Sequence, residues 1–359
     1  MKILTVVGAR PQFIKAAIVS NELQKSKKIN EIILHTGQHY DPNMSDIFFD
    51  EMKIPKPKYN LNINGKSHAE MTAKMMIGIE EICMSEKPDF VLVYGDTNST
   101  IAGALAAKKI NIGVIHIEAG LRSYNMKMPE EINRIITDRI SDVLFCPTDN
   151  SYNNLEIEGL VNKDTKVIIS GDVMEDAAIH YSKIKNNNSI IDKLKLNNDN
   201  FILATFHRQE NTQDFDKLKG IVNALNQIND KYKVIVPLHP RTKKLLESNK
   251  LKINFDCIEP VGYLDMIKLL QNCKLVLTDS GGLQKESFFF EKYCITLRNE
   301  TEWSELVENN YNIISGTKLS SILKAFNKLE SKKFVKKHVF YGGGNATKII
   351  RKSLENLIE

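Results

Sequence analysis

The sequence has 359 residues, of which 42% are hydrophobic and 26% are charged. This length exceeds one ordinary domain and fits two domains of about 150–200 residues each. The 49 Lys and Arg residues against 44 Asp and Glu residues give a net charge of +5. Such a mild excess suits an anionic small molecule, and we expect no nucleic-acid partner because nucleic acids select a concentrated basic face.

The cysteines and the hydropathy indicate a cytoplasmic protein. No cysteine belongs to a CxxC pair or stands beside histidines at metal-binding spacing, so we expect reduced core residues and no metal site. These cysteines are Cys83, Cys146, Cys257, Cys273 and Cys294. The N-terminal residues lack the apolar stretch and cleavage site of a signal peptide. No apolar run approaches about 18 residues, so no membrane span is expected.

Short apolar runs recur along the chain, each followed by a longer amphipathic stretch. The first series comprises residues 3–7, 32–36, 90–94, 114–117, 143–146 and 167–170. The second series comprises residues 201–206, 234–238, 257–259, 275–278, 294–297 and 312–315. Near-continuous apolar strands are typical of parallel sheets buried on both faces. Their alternation with helices predicts an α/β protein with two Rossmann-like, doubly wound domains.

The boundary between the domains is expected close to Gly171, just after the sixth strand. Residues 1–170 then form the N-terminal domain and residues 171–344 the C-terminal domain. The polar, Asn- and Lys-rich residues 181–200 fit either a linker or a connection within the second domain. Residues 345–359 are predicted to form a helix that packs back on the N-terminal domain.

The motif GARPQFIK follows the first predicted strand directly. Gly8 permits a tight turn, and Pro11 suits the first turn of a helix. Arg10 and Lys15 can reach a phosphate group bound there. The motif is not GxGxxG, so a dinucleotide is disfavoured and no cofactor is expected. An ordinary, solvated basic helix start fits the same residues.

Three carboxylates stand at or just after strand ends in the first predicted domain. Asp96 suits proton transfer, although its position alone favours an N-cap for the next helix. Glu118 ends the fourth strand. Glu130 follows Pro129 at a helix start, where pairing with Arg134 is the ordinary structural role. If the three converge, their repulsion should raise the pKa of at least one.

The second half contains an anion-binding pattern, TDSGGLQKE. A strand ends, and Ser280, Gly281 and Gly282 lead into a helix whose backbone N–H groups and dipole suit phosphate. Glu286 lies about one turn further, where it can accept ribose hydroxyl groups. His207 follows the first strand of this half and can assist departure of a phosphate leaving group. The same residues also fit an ordinary glycine turn and an ion-pair cluster.

Together these motifs resemble the non-hydrolysing UDP-N-acetylglucosamine 2-epimerase family. The matching stretches are GARPQFIK, HTGQHYD, YGDTNSTIAGALAA, HIEAGLRS, MPEEINRI, FHRQEN, HPRT, GYLDM, TDSGGLQKE and LRNETEW. The resemblance implies two domains facing across a cleft, as in GT-B glycosyltransferases, a homodimer and a UDP-sugar substrate. It implies nucleotide contacts at Arg10, Lys15, Ser280, Gly281, Gly282 and Glu286, and a uracil site from Val261 to Met266. It implies catalysis by Asp96, Glu118 and Glu130, with His207 assisting release of UDP.

The chemistry of C2 inversion is consistent with these residues. The C2–H bond of the sugar is not adjacent to a carbonyl group, so simple deprotonation is not feasible. Removal of the C2 proton while UDP leaves C1 gives a glycal, to which UDP adds back after protonation on the opposite face. This route needs carboxylates near C2 and stabilisation of the diphosphate. We therefore expect interconversion of UDP-N-acetylglucosamine and UDP-N-acetylmannosamine for surface polysaccharide precursors.

Two positions depart from the family pattern. Trp303 stands where many members carry arginine, and residues 40–42 differ from members with an allosteric site, so no allosteric activation is assumed. Residues 67–68 and 128–148 also resemble the branch that epimerises UDP-2,3-diacetamido-2,3-dideoxyglucuronic acid. The carboxylate of that substrate requires a cation, for which the candidates are Arg122, Lys127 and Arg241. The sequence is also compatible with a hydrolysing epimerase, a GT-B glycosyltransferase or a nucleotide-sugar sensor.

Overall fold

A computed structural model of the protein describes residues 1–38, 55–184, 189–198, 200–238 and 240–358. The chain forms two compact units, residues 1–177 with 339–359, and residues 178–338. Each unit is built on one parallel sheet flanked by helices. Within the described ranges, no helix is both long and apolar enough to cross a membrane.

The first unit contains a seven-stranded sheet with the order β3-β2-β1-β4-β5-β6-β7. Its elements in chain order are β1 (Lys2–Val7), α1 (Arg10–Leu23), β2 (Asn30–His35), β3 (Tyr59–Asn60), α2 (His68–Glu86), β4 (Phe90–Tyr94), α3 (Asn98–Lys109), β5 (Gly113–Ile117), α4 (Pro129–Ile140), β6 (Val143–Cys146), α5 (Asp149–Ile157), β7 (Lys166–Ile169) and α6 (Val173–Ser182), whose end belongs to the second unit.

The second unit contains a six-stranded sheet with the order β10-β9-β8-β11-β12-β13. Its elements are α7 (Ile190–Lys193), β8 (Phe201–Thr205), α8 (Gln209–Thr212), α9 (Phe215–Asn229), β9 (Lys233–Pro237), α10 (Pro240–Ser248), β10 (Asp256–Ile258), α11 (Tyr263–Asn272), β11 (Leu275–Thr278), α12 (Gly281–Phe289), β12 (Cys294–Thr296), α13 (Ser304–Glu308), β13 (Asn312–Ile314) and α14 (Leu319–Leu329). The helix α15 (Ala346–Glu355) then completes the first unit.

Residues 201–204 of β8 are all apolar and face opposite sides of the sheet in turn. Ile202 and Ala204 belong to one hydrophobic cluster, and Phe201 and Leu203 belong to another. Successive side chains of a strand point to opposite faces, so a continuous apolar run becomes a strand covered on both sides. The predicted α/β class with two parallel, doubly wound sheets is therefore confirmed.

All twelve predicted strands are present, and the described residues contain one strand that the sequence did not predict. That strand is β3, which has two residues and pairs with the edge strand β2. Four cysteines are buried as expected, whereas Cys257 in β10 is exposed. The expectation that all five are core residues is wrong there, because β10 is a short edge strand whose burial alternates weakly.

In each sheet, the strand order reverses beside its first strand. The strand β1 lies between β2 and β4, and β8 lies between β9 and β11. The loops that leave the carboxyl ends of β1 and β4 therefore run to opposite sides, and so do those of β8 and β11. Ligands of open α/β sheets bind at such reversal points, and the motifs singled out in the sequence follow these four strands.

The C-terminal residues are anchored to the start of α6 within the first unit. The backbone N–H of Asp172 donates to the carbonyl of Tyr341 (2.8 Å). The Asp176 carboxylate accepts from the N–H groups of Ala346 (3.1 Å) and Thr347 (2.9 Å) and from the Thr347 hydroxyl (2.7 Å). Residues 171–177 and 339–347 thus belong with the first sheet, and Asp176 caps α15 from a distant part of the chain.

Replacing Asp176 with alanine should destabilise the first unit. The N–H groups at the start of α15 lose their acceptor, which costs about 1–2 kcal/mol of the free energy of unfolding. Urea unfolding followed by circular dichroism measures this difference. Asp164→Ala, at an exposed aspartate of the same unit, is the control and should leave the unfolding midpoint unchanged. Equal midpoints for the two variants would contradict the capping role.

Candidate active site

The loop after β4 carries Asp96 at the reversal point of the first sheet. The N-cap of α3 is Thr97, which forms a capping box with Thr100. The interpretation of Asp96 as the helix cap is therefore wrong, because the neighbouring threonine takes that role. The carboxylate of Asp96 remains 32% exposed and lies 2.5 Å from the Arg134 guanidinium.

The polar face of α4 delivers several groups to this loop. Asn133 donates to the carbonyl of Asp96 (2.8 Å). Arg134, which the spacing pairs with Glu130, donates to Asp96 and to the buried Glu131 carboxylate (2.7 Å). Glu131 also accepts from backbone N–H groups of the loop after β5. One helix face thus fixes the loops that follow two neighbouring strands.

The three predicted carboxylates converge on this edge of the sheet. The pKa of Asp96 is raised, mainly because burial removes water from its carboxylate. The charges of Glu118 and Glu130 raise this pKa further, while those of Arg134 and Lys15 lower it. The expectation that convergence raises at least one carboxyl pKa is confirmed for Asp96, although repulsion is not the largest cause.

Lys15 and Glu118 form a nearly buried ion pair. A Cβ atom on Gly95 would lie 3.0 Å from the Glu118 carboxylate and 3.4 Å from the Lys15 ammonium group. Both Gly95 (φ +59°) and Glu118 (φ +73°) have left-handed backbone conformations. A non-glycine residue in that region is costly and is common at functional sites, so the strand-end position of Glu118 is held against local strain.

The loop after β1 packs tightly against its neighbours. A Cβ atom on Gly8 would lie 2.0 Å from the Thr36 hydroxyl and 2.2 Å from the Ser99 hydroxyl, so only glycine fits. The backbone of Arg10 lies in the first turn of α1, while its side chain is outside the described residues, as are residues 40–42 and His239. The predicted phosphate contact of Arg10 therefore stays a prediction.

The side chain of Arg122 makes its contacts outside this carboxylate cluster. Its guanidinium donates twice to Glu158 (2.6 and 2.8 Å), and also to Asp138 (2.7 Å) and the carbonyl of Leu121 (2.7 Å). Only 5% of the residue is exposed. Breaking these buried ion pairs to bind a substrate would be costly, so these contacts disfavour a substrate-binding role for Arg122, which stays a prediction.

In the second unit, the buried carboxylate of Asp279 connects the ends of β8 and β11. It accepts from the backbone N–H groups of His207 (3.0 Å) and Arg208 (3.0 Å) and from the Asn211 side chain (3.1 Å). The His207 imidazole is 53% exposed, and its Nδ1 lies 3.5 Å from Asp279. The loop is thus held by its backbone, while the His207 ring stays accessible.

The helix α12 begins at the same reversal point. Ser280 is its N-cap residue, Gly281 and Gly282 form its first turn, and that turn holds no acidic residue. A Cβ atom on Gly282 would meet no protein atom within 4 Å, whereas one on Gly281 would lie 3.6 Å from the Glu302 carboxylate, so the open space lies beside Gly282. A helix start of this kind is suited to bind phosphate. Glu286 lies one turn further and is 7% exposed.

Trp303 packs against one side of the N-terminus of α12. Its indole N–H donates to the carbonyl of Gly281 (2.9 Å), and the Lys285 ammonium group lies 4.5 Å from its ring centroid. Beside it, the Glu302 carboxylate is largely buried, which alone would raise its pKa, yet Arg298 and Arg208 lower that pKa below its usual range. The position where arginine was expected thus holds a packed aromatic ring.

Val261 and Met266 lie at the start of α11, whose N-cap is Gly262. Both side chains are partly buried against a hydrophobic cluster of the second unit. The structure therefore gives them a packing role, and their contact with uracil stays a prediction. Within the part of the chain that the structure describes, no group of three or more His, Cys, Asp or Glu side chains is placed to hold a metal ion.

Comparisons with known proteins identify the family to which the chain is similar. A family model described as UDP-N-acetylglucosamine 2-epimerase matches residues 21–355. The chain is 50% identical over 358 residues to the UDP-2,3-diacetamido-2,3-dideoxy-D-glucuronate 2-epimerase of Pseudomonas aeruginosa, covering 99% of this chain and 100% of that protein. The UDP-N-acetylglucosamine 2-epimerase of Methanocaldococcus jannaschii is 44% identical over 363 residues, covering 98% of each.

The chain belongs to the UDP-N-acetylglucosamine 2-epimerase family. It is accordingly an isomerase. The crystal structure of the M. jannaschii epimerase in complex with UDP-GlcNAc and UDP superimposes with a TM-score of 0.90 at 43% identity, covering 99% of this chain and 100% of that one. The structure of the Neisseria meningitidis epimerase bound to UDP-GlcNAc superimposes with a TM-score of 0.85 at 33% identity, covering 99% of this chain and 100% of that one.

Several residues of this epimerase escaped the sequence analysis. Arg134 was assigned only an ordinary helix pair, and Asp138, Asp279 and Trp303 were given no role in shaping the site. Their partners lie far away in sequence: Arg134 reaches Asp96 across 38 residues and Asp279 reaches Arg208 across 71. The one usable signal was the type of residue, since charged side chains in otherwise apolar segments require a partner when buried.

Replacing Arg134 with glutamine should raise the pKa of Asp96 further in this epimerase. A guanidinium beside a carboxylate favours the charged form, so its removal means that a more alkaline pH is needed to ionise Asp96. Carbon-13 NMR titration of the carboxyl group measures the shift, and Asp96→Asn identifies the signal. Arg139→Gln changes an exposed arginine of the same helix and should leave the pKa unchanged. A lower pKa in Arg134→Gln would contradict the assignment.

Proposed function

We propose that this epimerase inverts C2 of a UDP-linked 2-acetamido sugar by eliminating UDP and adding it back. The observation that carries the proposal is the cluster of Asp96, Glu118 and Glu130 at the reversal point of the first sheet, with a raised pKa at Asp96. A carboxyl group whose pKa is raised toward neutrality exchanges protons more effectively than an ordinary aspartate.

The elimination is a proton transfer coupled to loss of a leaving group. A carboxylate takes the proton from C2 while the C1–O bond breaks, and the electron pair of the C–H bond becomes the C1–C2 double bond of a glycal. UDP leaves with the electrons of the C1–O bond. Protonation of C2 on the other face and re-formation of the C1–O bond give the epimer, so the atoms balance without an oxidant. At least two proton-transferring groups are required, and the cluster supplies three candidates.

UDP is proposed to bind to the second unit at the start of α12. A Cβ atom built on Gly282 would meet no protein atom within 4 Å, so there is room for a ligand beside this residue, and the helix dipole favours an anion there. His207 is accessible next to this helix start and is proposed to stabilise the departing diphosphate. Glu286 is proposed to accept from the ribose hydroxyl groups, with the Val261–Met266 segment beside the uracil.

Two substrates fit the proposal. The first is UDP-N-acetylglucosamine, which would be interconverted with UDP-N-acetylmannosamine. It is favoured because the matched family is named after it and because it is bound in solved structures of relatives. UDP-2,3-diacetamido-2,3-dideoxyglucuronic acid is favoured by the 50% identity to the P. aeruginosa enzyme, against 44% to the M. jannaschii enzyme. We also propose a homodimer, a cytoplasmic location and a role in the synthesis of surface polysaccharide precursors. These three parts of the proposal rest on the sequence.

Incubation in deuterated water tests the proposed reaction directly. Each turnover should place solvent deuterium at C2 and form the epimer, which NMR detects. Asp96→Asn and Glu118→Gln should each lower exchange at least about 100-fold, because general acid–base catalysis contributes about 10²–10⁴-fold. Both variants should still bind UDP. Asp149→Asn and Glu156→Gln change exposed carboxylates of the same unit and should retain full exchange.

Different outcomes would indicate different functions. Accumulation of free UDP and free sugar would indicate a hydrolysing enzyme, and transfer to an acceptor without exchange at C2 would indicate a glycosyltransferase. Binding without turnover of either substrate would indicate a sensor. Full exchange in Asp96→Asn and Glu118→Gln would remove the catalytic roles. Running both UDP-sugars in parallel decides the substrate, since the true one should show the higher kcat/KM.

Replacing Gly282 with alanine tests the proposed diphosphate site. The added methyl group meets no protein atom within 4 Å, and alanine favours a helix, so the thermal midpoint should stay the same or rise. A bound phosphate would collide with the methyl group. UDP affinity should fall at least about fivefold, since such overpacking costs about 1 kcal/mol or more.

Trp303 is the single tryptophan of the chain and donates to Gly281, so its fluorescence can report UDP binding. Uridine, which lacks the diphosphate, is the control ligand, and its affinity should be the same for Gly282→Ala and the native protein. Unchanged UDP affinity in the variant would place the diphosphate elsewhere.

A further inference from the structure

A fully buried histidine lies beneath the loop that carries Asp96. His116, in β5, has no exposed surface. Its Nε2 lies 2.8 Å from the carbonyl oxygen of Gly95, and its Nδ1 lies 2.7 Å from a carboxylate oxygen of Asp138 in α4. The ring therefore bridges the loop after β4 and a helix of the same unit.

The hydrogen-bond partners determine which ring nitrogens of His116 carry hydrogen. The carbonyl of Gly95 can only accept, so Nε2 must donate. The second oxygen of Asp138 accepts from the Arg122 guanidinium (2.7 Å) and the N–H of Gly120 (3.1 Å). Although burial alone would raise the pKa of Asp138, His116 and Arg122 lower it below its usual range. The Arg122 guanidinium and the Gly120 N–H both donate to Asp138 and favour its ionised form, so Nδ1 is placed to donate as well.

The charges around this ring balance. Arg122 is paired with both Asp138 and Glu158, so a hydrogen on both ring nitrogens of His116 would complete a set of two cations and two anions. Cys146, on the neighbouring strand β6, adds no charge because burial raises the pKa of its thiol. A buried charge is tolerated when it is paired and hydrogen-bonded, and Asp138 in α4 supplies that pairing for His116.

The bond to Gly95 bears directly on Asp96. Gly95 has a left-handed backbone (φ +59°), and its N–H donates to the carbonyl of Ile117 (3.0 Å). With its carbonyl held by His116, both peptide groups flanking Gly95 are fixed, and the direction of the Asp96 side chain follows from them. Asn133 and Arg134 then hold the carbonyl and carboxylate of Asp96 itself.

We propose that His116 is a positioning residue, held with a hydrogen on both ring nitrogens by Asp138, and that it aims the Asp96 carboxylate by anchoring the Gly95 carbonyl. The role in catalysis rests on the proposed function of Asp96. An ordinary core histidine would have one donating and one accepting nitrogen and would affect stability alone. His116 is instead expected to control the turnover rate through a charged hydrogen bond to the loop.

Nitrogen-15 NMR of the native protein, labelled at its eight histidines, tests the protonation state. The signals missing from His116→Gln identify the residue. Both ring nitrogens of His116 should show the chemical shifts of protonated nitrogen at the neutral pH of the activity assay. A shift typical of an unprotonated ring nitrogen would overturn the proposal, and this result does not depend on the activity of any variant.

Kinetics of the full-length protein tests the positioning role. His116→Gln should lower kcat at least about tenfold, as is typical when a group that orients a reacting residue is lost. Its KM should change less than about threefold, because the UDP contacts are untouched. His35→Gln, at another buried histidine that hydrogen-bonds a side chain, is the matched control and should keep kcat within about twofold.

The outcomes separate this proposal from the proposed function. An unchanged kcat in His116→Gln would overturn the positioning role, as would an equal loss in His35→Gln. If Asp96→Asn retains full exchange at C2, the proposed function of Asp96 fails, whereas the NMR result on His116 still decides its protonation state. A neutral His116 ring beside an inactive Asp96→Asn variant would refute the positioning proposal alone.

Discussion

Three carboxylates share one edge of the first sheet, and their mutual repulsion is offset by two cations, Lys15 and Arg134. A cation beside a carboxylate lowers its pKa, whereas burial and neighbouring anions raise it. At Asp96, burial and the neighbouring anions outweigh the cations, so the pKa of its carboxyl group is raised although a guanidinium lies 2.5 Å away. The arrangement therefore combines two requirements that usually conflict: the loops are held rigidly by ion pairs, and one carboxyl group remains easy to protonate.

The strands could be predicted from the sequence because each is a local, nearly continuous apolar run, and both sheets bury such runs on two faces. The strand β3 could not be predicted, since two residues at a sheet edge carry no periodic signal. At the site, the sequence placed Asp96 and Glu118 after strands and Glu130 at a helix start, as the structure has them, because position beside a strand or helix is also a local property. It favoured Asp96 as a helix cap, and the adjacent Thr97 has that role because its hydroxyl and Thr100 complete a capping box.

The errors and omissions share a physical cause, which is pairing across long sequence separations. The sequence offered Arg122 as a cation for the substrate, yet Glu158, 36 residues later, accepts two hydrogen bonds along one edge of its guanidinium. Asp279 looked like one polar residue in a phosphate motif, and it proves to hold the loop of His207 from 72 residues away. Spacing within a motif cannot reveal such partners. In both units the residues predicted to face a ligand were chosen by pattern, while the residues that hold their loops in place became visible only in the fold.

The return of the chain to its first unit has a consequence for biosynthesis. The helix α15 lies against α1, where Arg351 pairs with Glu22, and both belong to the unit that begins at the N-terminus. A ribosome makes residues 178–338 before it makes this helix. The N-terminal unit is therefore incomplete, with one side of α1 uncovered, until residues 178–338 have been translated. The order of synthesis therefore favours early folding of the second unit. The first unit is completed only after its C-terminal helix has been made.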